Sequence, residues 1–204
     1  MKKSTLITLV AAALLALASF DAPAAQWSGA AQRQGAPVTL DVLQQAHWIA
    51  DGRDDAPRKV YVFLDANCIY CAKFWADARP WVDSGKVQLR YLMVAVIAPT
   101  SAGKAATLLA DPDPAKRLTA YERAHAFGVA RMLQGGPHAS MEDANLMPSA
   151  VSGDVARFLE QNEGFMTALN LRGTPGLAFR GLDGRLVAIG GIPAAGLESI
   201  FGAR

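Results

Sequence analysis

The chain has 204 residues, with 20 Lys+Arg against 18 Asp+Glu and only two cysteines. A near-neutral balance with no Lys/Arg block argues against a nucleic-acid binder, whose footprint is a clustered basic face. Two cysteines cannot staple a mini-protein held by several disulfides. A hydrophobic content of 51% allows a real core, and the length suits one domain, or one domain with a substantial insertion.

Met1-Lys2-Lys3 is a short basic start, and Leu6 to Ala18 is an apolar run broken only by Thr8. That run falls short of the roughly 18–20 residues needed to cross a bilayer. Ala22-Pro23-Ala24 supplies small residues in an A-x-A arrangement. Residues 1–24 therefore read as a signal peptide cleaved after Ala24, residues 25–42 as a flexible lead-in, and residues 43–204 as the folded domain. No second apolar run reaches spanning length, so membrane insertion of the mature chain is not expected. Export out of the cytosol permits disulfide chemistry.

A short helix is expected at Leu40–His47, followed by a brief strand at Trp48-Ile49-Ala50 that closes in an Asp51-Gly52 turn. Val60 to Leu64 is apolar throughout and suits a strand buried on both faces. After Cys68 the period becomes helical: Cys71, Phe74, Trp75, Ala78, Trp81 and Val82 recur at three- and four-residue steps. Pro80 is expected to kink or end the first section of this helix, and Gly85 to stop it. Val87–Ile97 reads as a second strand with apolar residues on both sides. From about residue 100 to 170 the strand signal disappears, with helix starts at Asp113-Pro114 and at Ser152 and a loop over residues 128–150. Leu177–Phe179 and Leu186–Ile189 form a hairpin around Leu182-Asp183-Gly184, and a last helix covers Ala194–Phe201. A β-α-β unit, a helical insertion and a β-β-α unit together make an α/β chain with a thioredoxin-like layout. Pro175 directly precedes the first hairpin strand, a place where an X-Pro bond can be cis.

The chemistry is concentrated in Cys68-Ile69-Tyr70-Cys71. Cys68 at a helix start would lie near unsatisfied N–H groups and the positive end of the helix dipole, which stabilise a thiolate. Cys71, one turn on, could resolve a mixed disulfide formed on Cys68. The residues thus read as nucleophile and resolving cysteine. A zinc site lacks further ligands, because His47, His125 and His138 offer no suitable spacing. A c-type haem needs histidine after the second cysteine, where Ala72 stands. A purely structural disulfide is the alternative reading; it would close a very short loop and so remove little entropy from the unfolded chain. No metal and no cofactor is expected. Trp75 and Trp81 read as core, His125 as a surface or capping residue, and Asp65 as a turn or cap residue.

The stretch from Val60-Tyr61-Val62-Phe63 through Cys68-Ile69-Tyr70-Cys71 and Phe74-Trp75 to Ala78-Arg79-Pro80-Trp81-Val82-Asp83-Ser84-Gly85-Lys86-Val87-Gln88-Leu89-Arg90 resembles the DsbC/DsbG family of periplasmic thiol–disulfide interchange proteins. Ala46-His47-Trp48, Asp51-Gly52, Val96-Ile97, Pro99, Asp113-Pro114-Ala115-Lys116 and Thr174-Pro175 match in order. The resemblance implies a thioredoxin fold with a helical insertion, acting in the periplasm as disulfide isomerase or reductase. Its partners would be exported proteins with wrong disulfides or oxidised cysteines, and a membrane reductase of the DsbD type as electron donor. Thr174 and Pro175 match the family's threonine–cis-proline loop, which is implied to meet substrate backbone and tune the cysteine. The family carries Pro or Gly where Ile69 stands, so its redox potential does not transfer. The family also carries an N-terminal dimerisation domain; residues 25 to about 42 are too short to fold as one, so a monomer is expected. A disulfide-forming oxidant and a non-catalytic substrate-binding module are the alternatives.

Overall fold

The computed structural model describes residues 37–143, 145–191 and 194–203, and the expected signal peptide and most of the lead-in lie outside them. Helix α1 (Leu40–Gln44) opens the described chain, with the Thr39 hydroxyl accepting from the Val42 N–H at 3.3 Å. Strand β1 (Ile49–Asp51) is closed by Gly52 at φ +104, where an added Cβ would lie 2.7 Å from the Val87 carbonyl oxygen. That conformation and that crowding together demand glycine.

The first unit continues as β2 (Arg58–Leu64), α2 (Ile69–Asp83) and β3 (Val87–Met93), with β3 parallel to β2. The hairpin β4 (Gly176–Arg180) and β5 (Leu186–Gly190) completes a five-stranded sheet in the order β1-β3-β2-β4-β5. Between β3 and β4 lie α3 (Ser101–Leu109), α4 (Pro114–Leu133) and α5 (Gly153–Ala168), and a 3-10 turn (Ala194–Gly196) leads into α6 (Leu197–Phe201). This is the thioredoxin-like order, with the helical insertion where the loss of strand signal placed it.

Alternation along the strands divides the core. Val60, Val62 and Leu64 of β2 face one cluster with Val87, Leu89, Tyr91 and Met93 of β3, covered by α2 and α4. Tyr61 and Phe63 face the opposite cluster, with Leu92, Val94 and residues of α1 and α5. Trp81 is fully buried on α2, edge-on to Phe201 at 5.4 Å, with its ring N–H donating to the Gly202 carbonyl at 2.7 Å. Truncating Trp81 to alanine is expected to cost about 3–5 kcal/mol.

Helix α1 ends at Gln44 and not at His47, strand β1 lies one residue further on than expected, and three further differences from the sequence expectation are larger in consequence. Helix α2 runs through Pro80 without ending, because the ring is exposed and three residues from the terminus, so only one ladder bond is forfeited. Strand β3 ends at Met93 and not at Ile97. The N–H groups of Val96 and Ile97 donate to Asp65 at 2.7 and 2.9 Å, and that of Ala95 donates to Glu163 at 2.9 Å, so carboxylates replace the next strand partner. Residues 128–133 continue α4, since Ala130, Arg131 and Met132 favour helix. The chain leaves it only at Gly135, with φ +86.

Candidate active site

Strand β2 delivers the chain to the end of the sheet, where Asp65 is fully buried. One Asp65 carboxylate oxygen accepts from the Asn67 N–H at 2.8 Å and the Ser101 hydroxyl at 2.7 Å, and the other takes the Val96 and Ile97 N–H groups. Asn67 then donates to Thr100 and Ser101 at 3.1 and 2.9 Å, and its carbonyl accepts from the buried Lys104 ammonium at 2.7 Å. The short segment between strand and helix is thereby fixed from both sides before Cys68 is reached.

Cys68 is the N-cap residue of α2, and its sulfur accepts the Cys71 N–H at 3.2 Å. The sulfur takes the role that a serine or aspartate oxygen usually takes at this position. It therefore sits where helix N–H groups and the dipole favour negative charge. The Cys71 thiol, hydrogen-bonded to this sulfur, holds Cys68 below the ordinary thiol range. Burial opposes that shift, while the Thr174 side chain and the N–H groups of Cys71 and Tyr70 reinforce it. Cys71 is completely buried, and burial, followed by the hydrogen bond to Cys68 and the charge of Cys68 and of Glu122, pushes its thiol well up. Two cysteines one turn apart thus have opposite acidities, the arrangement that assigns different roles to chemically identical groups.

The Thr174–Pro175 bond, which the sequence leaves open, is cis, as in the family loop it resembles. Thr174 lies against the cysteines, its carbonyl accepting from the Cys68 thiol at 3.2 Å, while its buried hydroxyl has no hydrogen-bond partner. All four residues singled out from the sequence, Cys68, Cys71, Thr174 and Pro175, are therefore gathered at one end of the sheet. Two hollows meet there. One, of about 740 Å³, runs from Cys68 past Val96 and Ile97 to Met166 and Leu171. The other, of about 390 Å³, is lined by Phe74, Leu133 and Pro175. Tyr70 and Thr174 belong to both, and Tyr70 is 56% exposed between them.

Glu122 was not singled out. It is fully buried on α4, and neither carboxyl oxygen has a hydrogen-bond partner. Its signal lies in its spacing: Leu118, Glu122, Ala126 and Val129 follow one another at helical steps, so the glutamate interrupts an otherwise apolar stripe. Lys104 likewise sits in an Ala-rich helix and is fully buried, bonded to Asn67 and to the Met141 carbonyl at 2.8 Å. Among the described residues, no group of three or more His, Cys, Asp or Glu side chains is placed to hold a metal ion. His125 is half-buried on α4 with its Nδ1 2.8 Å from the Tyr121 carbonyl.

The chain is 40% identical to the thiol:disulfide interchange protein DsbG of Pseudomonas aeruginosa over 163 residues, 79% of this chain and 58% of that protein. To DsbG of Escherichia coli it is 42% identical over 151 residues, 74% of this chain and 55% of that one. The chain thus spans little more than half the length of these curated relatives. No protein-family model matches it. Among solved structures, the catalytic domain of Proteus mirabilis ScsC superposes with a TM-score of 0.54 at 18% identity, covering 76% of this chain and 86% of that one. A disulfide interchange protein from Neisseria gonorrhoeae superposes at 0.52 with 26% identity, covering 76% and 92%. By fold the chain is thioredoxin-like, and over the residues that build this site its sequence is similar to the DsbG thiol:disulfide interchange proteins.

Proposed function

We propose that the protein is a periplasmic thiol–disulfide oxidoreductase that acts on exported proteins as disulfide isomerase or reductase. The observation that carries this reading is the asymmetric cysteine pair: an acidified thiol capping α2 beside a fully buried thiol of raised pKa. The Cys68 thiolate attacks a substrate sulfur, its electron pair forms the mixed disulfide, and the other substrate sulfur departs as thiolate. Cys71 then attacks the Cys68 sulfur, the reduced substrate leaves, and an internal disulfide remains. For isomerisation the released substrate thiolate attacks another substrate disulfide, and the thiolate this frees attacks the substrate sulfur of the mixed disulfide, so that a new substrate disulfide forms and Cys68 departs as thiolate. The Thr174–Pro175 loop is proposed to receive the substrate backbone beside Cys68, with apolar side chains entering the hollow lined by Val96 and Ile97.

Catalytic reduction needs electrons from outside, and a membrane reductase of the DsbD type is the proposed donor. No helix among the described residues is long and apolar enough to cross a membrane. The same reading takes the chain as exported by residues 1–24 and monomeric in solution, which N-terminal sequencing of the secreted protein and light scattering check.

The primary test is reshuffling of a scrambled disulfide substrate. Cys68→Ala is expected to abolish it, and full activity in that variant would overturn the reading. One observation favours a second reading: stabilising the Cys68 thiolate also stabilises the dithiol form, which is what makes a strong oxidant. The redox state of the pair in the periplasm separates the two, since an isomerase or reductase is held mostly as dithiol and an oxidant mostly as disulfide.

A further inference from the structure

Helix α5 is closed by a tight turn: Asn170 takes φ +55, its N–H donates to the Thr167 carbonyl, and the Leu171 N–H donates to the Met166 carbonyl, both at 2.9 Å. Leu171 is buried in the same cluster as Met166, which anchors the chain there. Three residues on, the Thr174 carbonyl accepts from the Cys68 thiol at 3.2 Å and anchors it again. Arg172 and Gly173 bridge these two fixed points, and Arg172 is exposed. Two residues of chain span at most about 7 Å, so the Arg172 backbone lies close to Thr174 and, through it, to the Cys68 sulfur. Arg172 and Cys68 line the same hollow of about 740 Å³. Among the described residues Arg172 takes part in no hydrogen bond, ion pair or ring contact. The carboxylate of that hollow, Glu163, accepts from the Ala95 N–H at 2.9 Å and forms no ion pair with it. Beside the second hollow, by contrast, Lys73 is already paired with Asp77 at 2.5 Å.

We propose that Arg172 is a specificity-determining residue that selects substrates with an aspartate or glutamate beside the cysteine attacked by Cys68. The proposal rests on the exchange reading above and adds a substrate class to it: exported segments whose disulfide is flanked by an acidic residue. A guanidinium presents several N–H donors in a fixed fork that matches a carboxylate, and this one is spent on nothing else in the described chain. Its backbone is pinned on both sides, so little ordering is needed when the substrate arrives. The need for a cation is plain from the reaction. Cys68 attacks as a thiolate, and a negative substrate approaching it is repelled unless a positive charge stands alongside. A lysine or arginine in the same place on the substrate meets Arg172 as a like charge, so the residue discriminates in both directions. Apolar neighbours of the substrate cysteine still have Val96, Ile97 and Met166 to rest on.

Three peptides test this, identical except for Asp, Asn or Lys directly after a single cysteine that carries an uncharged thiopyridyl group in disulfide linkage. Excess dithiol protein is mixed with each in a stopped-flow instrument. The Cys68 thiolate bonds to the peptide sulfur, the peptide–thiopyridyl bond breaks with its electron pair on the pyridinethiolate, and that chromophore reports the step. At low ionic strength the wild type should react about tenfold faster with the Asp peptide than with the Lys peptide, with Asn between them, and added salt should narrow the ratio. Arg172→Gln should bring the ratio near one, Arg172→Glu should invert it, and Arg172→Lys should keep most of it. The Asn peptide should stay within about threefold in all four proteins, because the substitution changes what the hollow attracts and not the attacking sulfur. A wild-type Asp-to-Lys ratio in Arg172→Gln overturns the proposal alone, as does a wild type that does not discriminate. Equal slowing of all three peptides in Arg172→Gln also overturns it, since Arg172 would then act on Cys68 and not on substrate. A wild type that releases no chromophore from any peptide overturns the exchange reading and the proposal with it.

Discussion

Two buried carboxyl groups flank the redox helix, and they could hardly be treated more differently. Asp65, at the end of β2, receives four hydrogen bonds, two to each oxygen. Glu122, on α4, receives none. Saturation makes Asp65 a structural knot: it ends β3, anchors the start of α3 through Ser101 and holds the residue before Cys68. Isolation makes Glu122 a group whose proton affinity is set by burial and by the charge of Cys68. The lesson is that burial alone does not assign a role to an acid; the count of donors aimed at it does.

The largest effect is expected at Asp65. Asp65→Ala strands the N–H groups of Val96, Ile97 and Asn67 and the Ser101 hydroxyl, and should lower stability by about 3 kcal/mol or more. The midpoint of urea unfolding reads this directly, and a change of less than about 1 kcal/mol would show that the four bonds carry little.

Glu122 should behave in the opposite sense. Its folded pKa lies above the unfolded value, so between those two values the native state binds more protons than the unfolded chain, and stability falls as pH rises. Glu122→Gln removes this slope, which can reach about 1.4 kcal/mol per pH unit. The variant should therefore match wild type near the ordinary carboxylate pKa and exceed it increasingly above. Unfolding curves between acid and neutral pH check this, and parallel pH profiles for the two proteins would contradict it.

A smaller effect is expected at Lys104, whose fully buried ammonium ties Asn67 to the Met141 carbonyl. Lys104→Met keeps the packing but leaves the Asn67 side-chain oxygen without that donor, at a cost of about 1–3 kcal/mol. Because Met141 retains the Tyr121 hydroxyl at 2.8 Å, only one acceptor is orphaned. Thermal unfolding reads the loss, which should fall below that of Asp65→Ala.

Local signals made much of the molecule legible before any coordinates. Asp113 followed by Pro114, and Ser152, are the caps of α4 and α5, with side chains accepting from Lys116 and Val155 as their types predict. The change of period after Cys68 marks α2, and the Thr174–Pro175 pair reaches the cysteines across 106 residues of chain. What stayed hidden depends on partners distant in sequence. The apolar run Val94–Ile97 reads as strand, but its N–H groups are claimed by Asp65 and Glu163 from other elements. The sequence analysis did not single out Lys104 or Glu122, whose burial depends on the packing of α3 and α4.

The division of labour between the two sulfurs is tested most directly by the pH dependence of alkylation of the dithiol protein with iodoacetamide, followed residue by residue by mass spectrometry. Cys68 should react first and titrate below the ordinary thiol value of about 8.5, while Cys71 stays unreactive until well above it. Equal reactivity of the two cysteines, or Cys68 titrating at or above the ordinary value, would contradict the assignment of Cys68 as nucleophile and Cys71 as resolving cysteine.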